Sequence, residues 1–592
     1  MSTMRAQASS ISSSEAPNFL VPHLSVHDFP ACSQTLVSSD RRSSAFSIAT
    51  KASLVDTRKS LQLSTVQLLV VHIGAALTLF LATTDATIVS TSLPTISSDL
   101  KASPSQYTWV GVSYMLTQTA FQPLYGRVSD LVGRKNVLYT SMGIFALGSV
   151  LCGAAQSINW LIAARAFAGI GGGGIVSSVW VITSEVVEVK RRAIWSQALS
   201  ITWSCSAISG PIIGGLFSGQ TKSSVDWRWG FYINLPVCLV AFAVLATSLR
   251  RLELQVASNA SWRMLSQRFD FVGLVLFMSG TSCIIIGFSF VTELGWGASS
   301  TLSLITTGTA VLICGGIYEK HTTRDSLFPA TTFQDITTVS ILIITFIHNF
   351  AFTAGTFYLA LFYQAANGST PLQSGMKLLP YSLGSSVASM PTAWFIGYLQ
   401  RKTHDTTGQN RIISIGLLIS TLGFGLLNLL NEHARIVSQV AFPLIAGIGL
   451  GMLFHAPYQV FTRALKAEEL ATGTSAFFLV RFTGATVGLA VAGTIFYAKV
   501  SIGLPPDLAF NNTTQSIDYN AIKYLPLDIK EDVLHTISGS IRLIWTVCAP
   551  CLGVAFLISL LLRKIPSSDA ETVNETHTTS AATQLSAEDE KV

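Results

Sequence analysis

Gly126-Arg-Val-Ser-Asp-Leu-Val-Gly-Arg-Lys135 is a ten-residue stretch of charge set between two long apolar segments. Gly126 and Gly133 permit a tight reversal of the chain. Asp130 offers a carboxylate to cap a helix start, and Arg127, Arg134 and Lys135 hold a loop on the positive side of a membrane. Taken alone it is a hinge between two helices, and its flanks decide what it joins.

Those flanks are apolar along most of the chain. Of 592 residues 49% are hydrophobic and 11% charged, and the mean hydropathy is +0.50, which excludes a soluble multidomain protein. The eight cysteines are scattered, mostly within apolar runs, unlike a secreted disulfide framework. Cys548-Ala-Pro-Cys551 lies inside a lipid-length helix, where its cysteines read as small packing residues. The net charge of +6 is spread over many short loops, which argues against a nucleic-acid interface. Residues 1–62 are serine-rich with no apolar core, a disordered cytosolic tail rather than a signal peptide. Within them Arg41-Arg-Ser-Ser44 is either a basic-directed phosphorylation site or an unmodified linker.

Apolar stretches near the roughly 20 residues that cross a bilayer fall at about 66–92, 107–126, 136–155, 160–185, 193–219, 229–249, 270–290, 300–318, 337–365, 375–399, 412–431, 436–462, 473–498 and 541–563. That predicts fourteen spans. With a cytosolic N-terminus, 26 of the 37 Lys and Arg lie on the cytosolic side, nine opposite and two (Arg165 and Arg481) within spans. The bias predicts both termini in the cytosol and sets residues 126–135 there. A non-cytosolic loop at 499–540 carries overlapping sequons at Asn511 and Asn512, which are either glycosylated or unused. Gly397-Tyr-Leu-Gln-Arg-Lys402 followed by Gly408-Gln-Asn-Arg411 echoes the rhythm of the opening stretch, either as the mark of a repeated bundle or by chance.

Charge inside a span is the main chemical signal. Asp85, deep in the first span, is a candidate proton or substrate site, or else a carboxylate satisfied by neighbouring threonines. Arg165 requires a carboxylate or a polar cavity, and Arg481 is either its counterpart in the thirteenth span or a partner of nearby backbone. Residues 169–174 match GxGxxG, but no strand precedes them and they lie in a spanning helix, so a dinucleotide site is rejected in favour of close helix contact. Gly210, Pro211, Gly214 and Gly215 make a kinked, closely packed fifth span. Gln118, Gln122, Asn349, Tyr358, Gln364 and His455 could line a path, and His72 and His348 could titrate near neutrality; each is otherwise a satisfied packing residue. No metal cluster, nucleotide loop or nucleophile triad stands out, so no enzyme activity and no cofactor beyond a proton gradient is expected.

On these residues the chain resembles the major facilitator superfamily, and within it the fourteen-span drug:proton antiporters. Residues 126–135 look like the cytosolic signature after the second span, Asp85 with Pro94 like the first-span signature, Arg165 with Gly169 like the proton-coupling motif of the fourth span, and residues 210–215 like the antiporter motif. Phe269-Asp-Phe-Val-Gly273, Tyr358 to Gln364 and Arg481 with Gly484 extend the similarity over about residues 65–565. Ser206 and Ala168 stand where glycine and glutamine are usual, which weakens any substrate inference more than the mechanism.

The resemblance implies an all-α polytopic protein with two six-helix bundles, at 63–250 and 331–565, joined by two extra spans within 251–330 and followed by an acidic tail at 566–592. Thr117 to Gly126 is similar to a fungal branch that includes vacuolar basic-amino-acid transporters and multidrug-resistance relatives. That implies a monomeric proton-coupled antiporter of the vacuolar or plasma membrane, exporting basic amino acids or cationic, hydrophobic drugs and toxins. Asp85, Arg165, Gln118, Gln122, Tyr358, Gln364 and Arg481 would serve proton or substrate, and residues 126–135 would act as a conformational latch. A siderophore or other nutrient symporter and a non-transporting nutrient sensor are the alternatives. The antiporter motif argues against the first and the short tails against the second.

Overall fold

Ser64 starts the first helix with a reciprocal cap: its hydroxyl accepts the Gln67 N–H at 3.3 Å, and its own N–H donates to the Gln67 side chain at 3.3 Å. The same box recurs at Ser103 with Gln106 and at Thr370 with Gln373, each with proline at the first helical position. The structure, a computed structural model, describes residues 64–187, 192–219, 226–250, 269–322, 330–403, 405–465, 469–503 and 525–566, with a few isolated positions between them. The serine-rich segment, the sequons at Asn511 and Asn512 and the acidic tail lie outside the described residues.

The described chain is helical, with one isolated β-bridge between Asp405 and Pro566. We label the long helices α1 (Thr65–Asp99), α2 (Pro104–Val132), α3 (Arg134–Gly153), α4 (Ile158–Val186), α5 (Arg192–Ser218), α6 (Asn234–Leu249), α7 (Phe271–Leu294), α8 (Ser299–His321), α9 (Ile336–Leu361), α10 (Leu379–Thr403), α11 (Thr407–Leu427), α12 (Ile436–Met452), α13 (Leu470–Gly503) and α14 (Leu527–Ser559). Among the described residues eleven helical segments are long and apolar enough to cross a membrane. The other three expected spans fall on α2, α5 and α10, which at 29, 27 and 25 residues are long enough but more polar. These three helices take part in the contacts between the two halves, α2 with α13 and α5 with α10, alongside α1 with α9 and α5 with the short helix Pro371–Lys377.

Within the first half α1 packs on α5 and α6, and α4 on α2 and α3; within the second, α9 packs on α13 and α12 on α10 and α11. The α7–α8 hairpin leans on α2 and α13 through α7. It is held by small residues: a Cβ added to Gly308 would lie 2.7 Å from the Gly280 carbonyl oxygen. The glycines of the GxGxxG match do the same for α4. A Cβ at Gly171 would meet the Phe145 backbone at 2.4 Å on α3, and one at Gly169 the Tyr114 carbonyl at 2.3 Å on α2.

Two expected boundaries are corrected. The ten-residue reversal at 126–135 shrinks to Gly133, at φ 95° and ψ 142°, because α2 continues to Val132 and the Gly133 N–H closes its last turn on Ser129 at 3.1 Å. Both ends of the loop expected at 499–540 are helical instead, since α13 reaches Gly503 and α14 begins at Leu527. Lys530, Glu531 and Asp532 interrupt the apolar pattern there without interrupting the helix.

Candidate functional site

Asp85 sits midway along α1, and Arg165 two turns into α4 points at it. They form an ion pair, each side chain 1% exposed. The second carboxylate oxygen of Asp85 accepts the Asn234 amide at 2.9 Å, and that amide also reaches the Ser149 hydroxyl at 3.2 Å. Arg165 Nε donates to the Val110 carbonyl at 3.3 Å, and its guanidinium lies 4.3 Å over the Tyr114 ring, whose hydroxyl is tied to the Ala82 carbonyl at 2.9 Å. α1, α2, α3, α4 and α6 thus close around one charge pair. Replacing either partner alone would strand the other at about 3–5 kcal/mol.

Asp85 does not line the central space between the halves. That space includes two adjoining cavities that share Trp203 and Arg481. Gln118 and Asn349 line the first and His455 the second, and no described residue lining either is a carboxylate. Arg481, on α13, therefore differs from Arg165: its Nε donates to Asn349 Oδ1 at 3.3 Å, and its guanidinium lies 4.4 Å from the Trp203 ring and 5.4 Å from Phe454. Asn349 is braced in turn, through its amide, by the Thr345 carbonyl at 2.8 Å and His348 Nδ1 at 3.3 Å. The other ring nitrogen of His348 lies 3.0 Å from the Leu450 carbonyl and donates to it.

The expected latch is placed in part. Arg127 and Asp130 side chains lie outside the described residues, and Lys135 is half-buried. Arg134 bonds Glu185 on α4 at 2.8 Å, the Gly126 carbonyl at 3.3 Å and the Ser129 hydroxyl, bolting the starts of α3 to the ends of α2 and α4. A Cβ at Gly126 would lie 3.6 Å from the Ser475 hydroxyl on α13, so this corner borders the second half. Glu185→Gln should weaken the corner by about 1–2 kcal/mol. The check is the melting temperature of the purified chain, expected to fall by a few degrees; an unchanged value would mean that the Arg134–Glu185 bond does not hold this corner.

At the opposite end α5 is held by α1 and by the short helix Pro371–Lys377. The Thr91 hydroxyl donates to the Pro211 carbonyl at 2.8 Å and Thr87 to the Ser206 carbonyl at 3.2 Å, tying α1 to the proline-bearing stretch of α5. A Cβ at Gly210 would meet the Thr87 hydroxyl at 2.1 Å, and one at Gly214 the Ile88 carbonyl at 2.2 Å. Across the halves the fit is reciprocal: Gly215 faces the Pro371 carbonyl at 2.4 Å and Gly375 the Pro211 carbonyl at 2.5 Å, each measured from an added Cβ. Gln364 adds a bond from a π-helical turn after α9 to the Thr91 carbonyl at 3.0 Å.

The remaining candidates scatter. Gln122 is buried with Oε1 unpartnered among the described residues, Tyr358 packs 5.7 Å from the Phe496 ring, and His72 lies tilted against Trp195 with ring centroids 4.3 Å apart, outside the lining of either cavity. Asn234, Glu185, Trp203 and Phe454 were not singled out by the sequence. The available signal was a polar residue in Asn234-Leu-Pro at a helix start and an acid in the last turn of a span.

A family model described as Major Facilitator Superfamily matches residues 75–489. An uncharacterised MFS-type transporter of Schizosaccharomyces pombe is 30% identical over 508 residues, covering 86% of this chain and 83% of that protein. The efflux pump dotC of Dothistroma septosporum is 29% identical over 513 residues, covering 85% of each. Among solved structures, a bacterial homolog of the human lysosomal transporter Spinster, inward-facing and occupied, is similar with a TM-score of 0.56 at 16% identity, covering 83% of this chain and 96% of that one.

Proposed function

Because the chain belongs to the major facilitator superfamily, we propose that this multi-pass membrane transporter is a proton-coupled antiporter that exports small molecules from the cytosol by alternating access. The observation that carries the reading is the sealed Asp85–Arg165 pair, a carboxylate set beside the central space but outside it. A proton acceptor separated from the cargo chamber by one helix face can be exchanged when the halves rock, and its charge state then biases which end is open. Similarity to fungal efflux pumps supports export over import.

The same reading takes residues 63–250 and 331–565 as the rocking bundles, 251–330 as their linker, and fourteen spans with both termini cytosolic, in the vacuolar or plasma membrane. The corner at Gly126, Gly133 and Arg134 would then hold the cytosolic end and the Gly215–Gly375 contact the other. Basic amino acids and cationic drugs, the cargo implied by resemblance, fit the chamber poorly, since its described lining carries a cation and no carboxylate.

A fungal host stripped of its own efflux pumps tests the reading. Cells expressing the chain should retain less of at least one compound from a panel of small aromatic acids, amines and neutral molecules, and a protonophore should erase the difference. Export that survives the protonophore contradicts proton coupling.

A further inference from the structure

We infer that the central chamber is a binding site for an organic anion, an aromatic or hydrophobic carboxylate or sulfonate anchored by Arg481. The inference rests on the transporter reading for its purpose, but its geometry stands apart from proton coupling. Arg481 is 7% exposed and lines both cavities. Only Nε is used, on Asn349; the two terminal nitrogens make no hydrogen bond among the described residues. No ion pair among the described residues includes it, whereas the other fully enclosed arginine, Arg165, has Asp85.

A buried guanidinium without a counter-charge is costly, and here the protein spends three residues on orienting it. The Leu450 carbonyl fixes His348 with Nε2 as donor, leaving Nδ1 to accept from Asn349. That turns the Asn349 carbonyl oxygen toward Arg481. The free edge of the guanidinium, with its paired parallel N–H groups, matches a carboxylate or sulfonate and is wrong for an ammonium.

Two further features suit the rest of such a molecule. Trp203 and Phe454 flank the guanidinium at 4.4 and 5.4 Å, and the second cavity continues between Trp180, Tyr458 and Phe478. Trp180 Nε1, buried on that wall, has no hydrogen-bond partner among the described residues, a donor available to an ether, carbonyl or hydroxyl on the ligand. One end binds charge; the other offers ring surface and a single donor.

The test compares three probes with one ring system: 2-naphthoate, its neutral methyl ester and 2-naphthylmethylammonium, titrated by calorimetry into the purified full-length chain. Naphthoate should bind about tenfold or more tightly than either of the others. Arg481→Gln should abolish that preference, and Arg481→Lys should retain part of it. Both variants are first checked for a wild-type profile on size-exclusion chromatography, which the lysine variant should keep even if the glutamine variant does not. Equal or tighter binding of the ammonium, naphthoate binding unchanged in either folded variant in place of these losses, or no naphthoate binding at all overturns the inference. Proton flux in proteoliposomes is measured separately: anion binding without proton-linked movement sinks only the antiport reading, and proton-linked movement of the ammonium sinks only the anion site.

Discussion

Arg165→Gln is expected to leave little folded transporter, Asp85→Asn to do nearly the same, and the double variant to recover most of what each loses. Each single change leaves one buried, hydrogen-bonded partner without its counterpart, at about 3–5 kcal/mol for the stranded charge. A domain holds only about 5–15 kcal/mol in total, so such a loss shows as depleted monomer and a lower melting temperature of a fluorescent fusion on size-exclusion chromatography. With both charges removed, Asn234, Tyr114 and the Val110 carbonyl remain to serve a neutral pair. Singles as stable as wild type would mean that the pair is not ionic in the folded protein. The contrast with Arg481 is part of the expectation: Arg481→Gln removes an uncompensated charge and should hold or raise the melting temperature.

Gly215→Leu should fold but transport at a small fraction of the wild-type rate, on the order of a hundredfold down. Its side chain has nowhere to go when Pro371–Lys377 closes on α5, since even a Cβ would lie 2.4 Å from the Pro371 carbonyl and 2.8 Å from the Leu372 Cα. Backbone cannot swing aside as a side-chain tip can, so the end must stay apart. A cysteine placed at Ser374, fully buried in this structure, should then react with a membrane-impermeant maleimide in the Gly215→Leu background and stay protected without it. Protection in both would show that the contact does not gate the site.

Much of this was legible in the residues. Apolar length picks out the helices because a spanning segment must satisfy its own backbone, and charge within such a segment marks Asp85, Arg165 and Arg481. What each charge meets was not legible. Arg165 and Arg481 look alike in sequence, yet one reaches a carboxylate 80 residues away and the other an amide 132 residues away. Only packing sets such pairings. Asn234 carries little signal in sequence, a lone amide within an apolar run, and only the packing of α1 and α3 over it gives it partners. The extent of α2 and α14 is hidden in the sequence for a related reason: polar residues break the apolar pattern at their ends while helical hydrogen bonding carries on.

The most direct measurement of the central claim is proton movement in sealed proteoliposomes loaded with a pH-sensitive dye, started by adding an exported probe from outside. Wild type should move protons against the probe, and the Asp85→Asn/Arg165→Gln double variant should exchange probe with no proton signal. A double variant with the wild-type proton signal would contradict the account, because the coupling would then lie outside the α1–α4 pair.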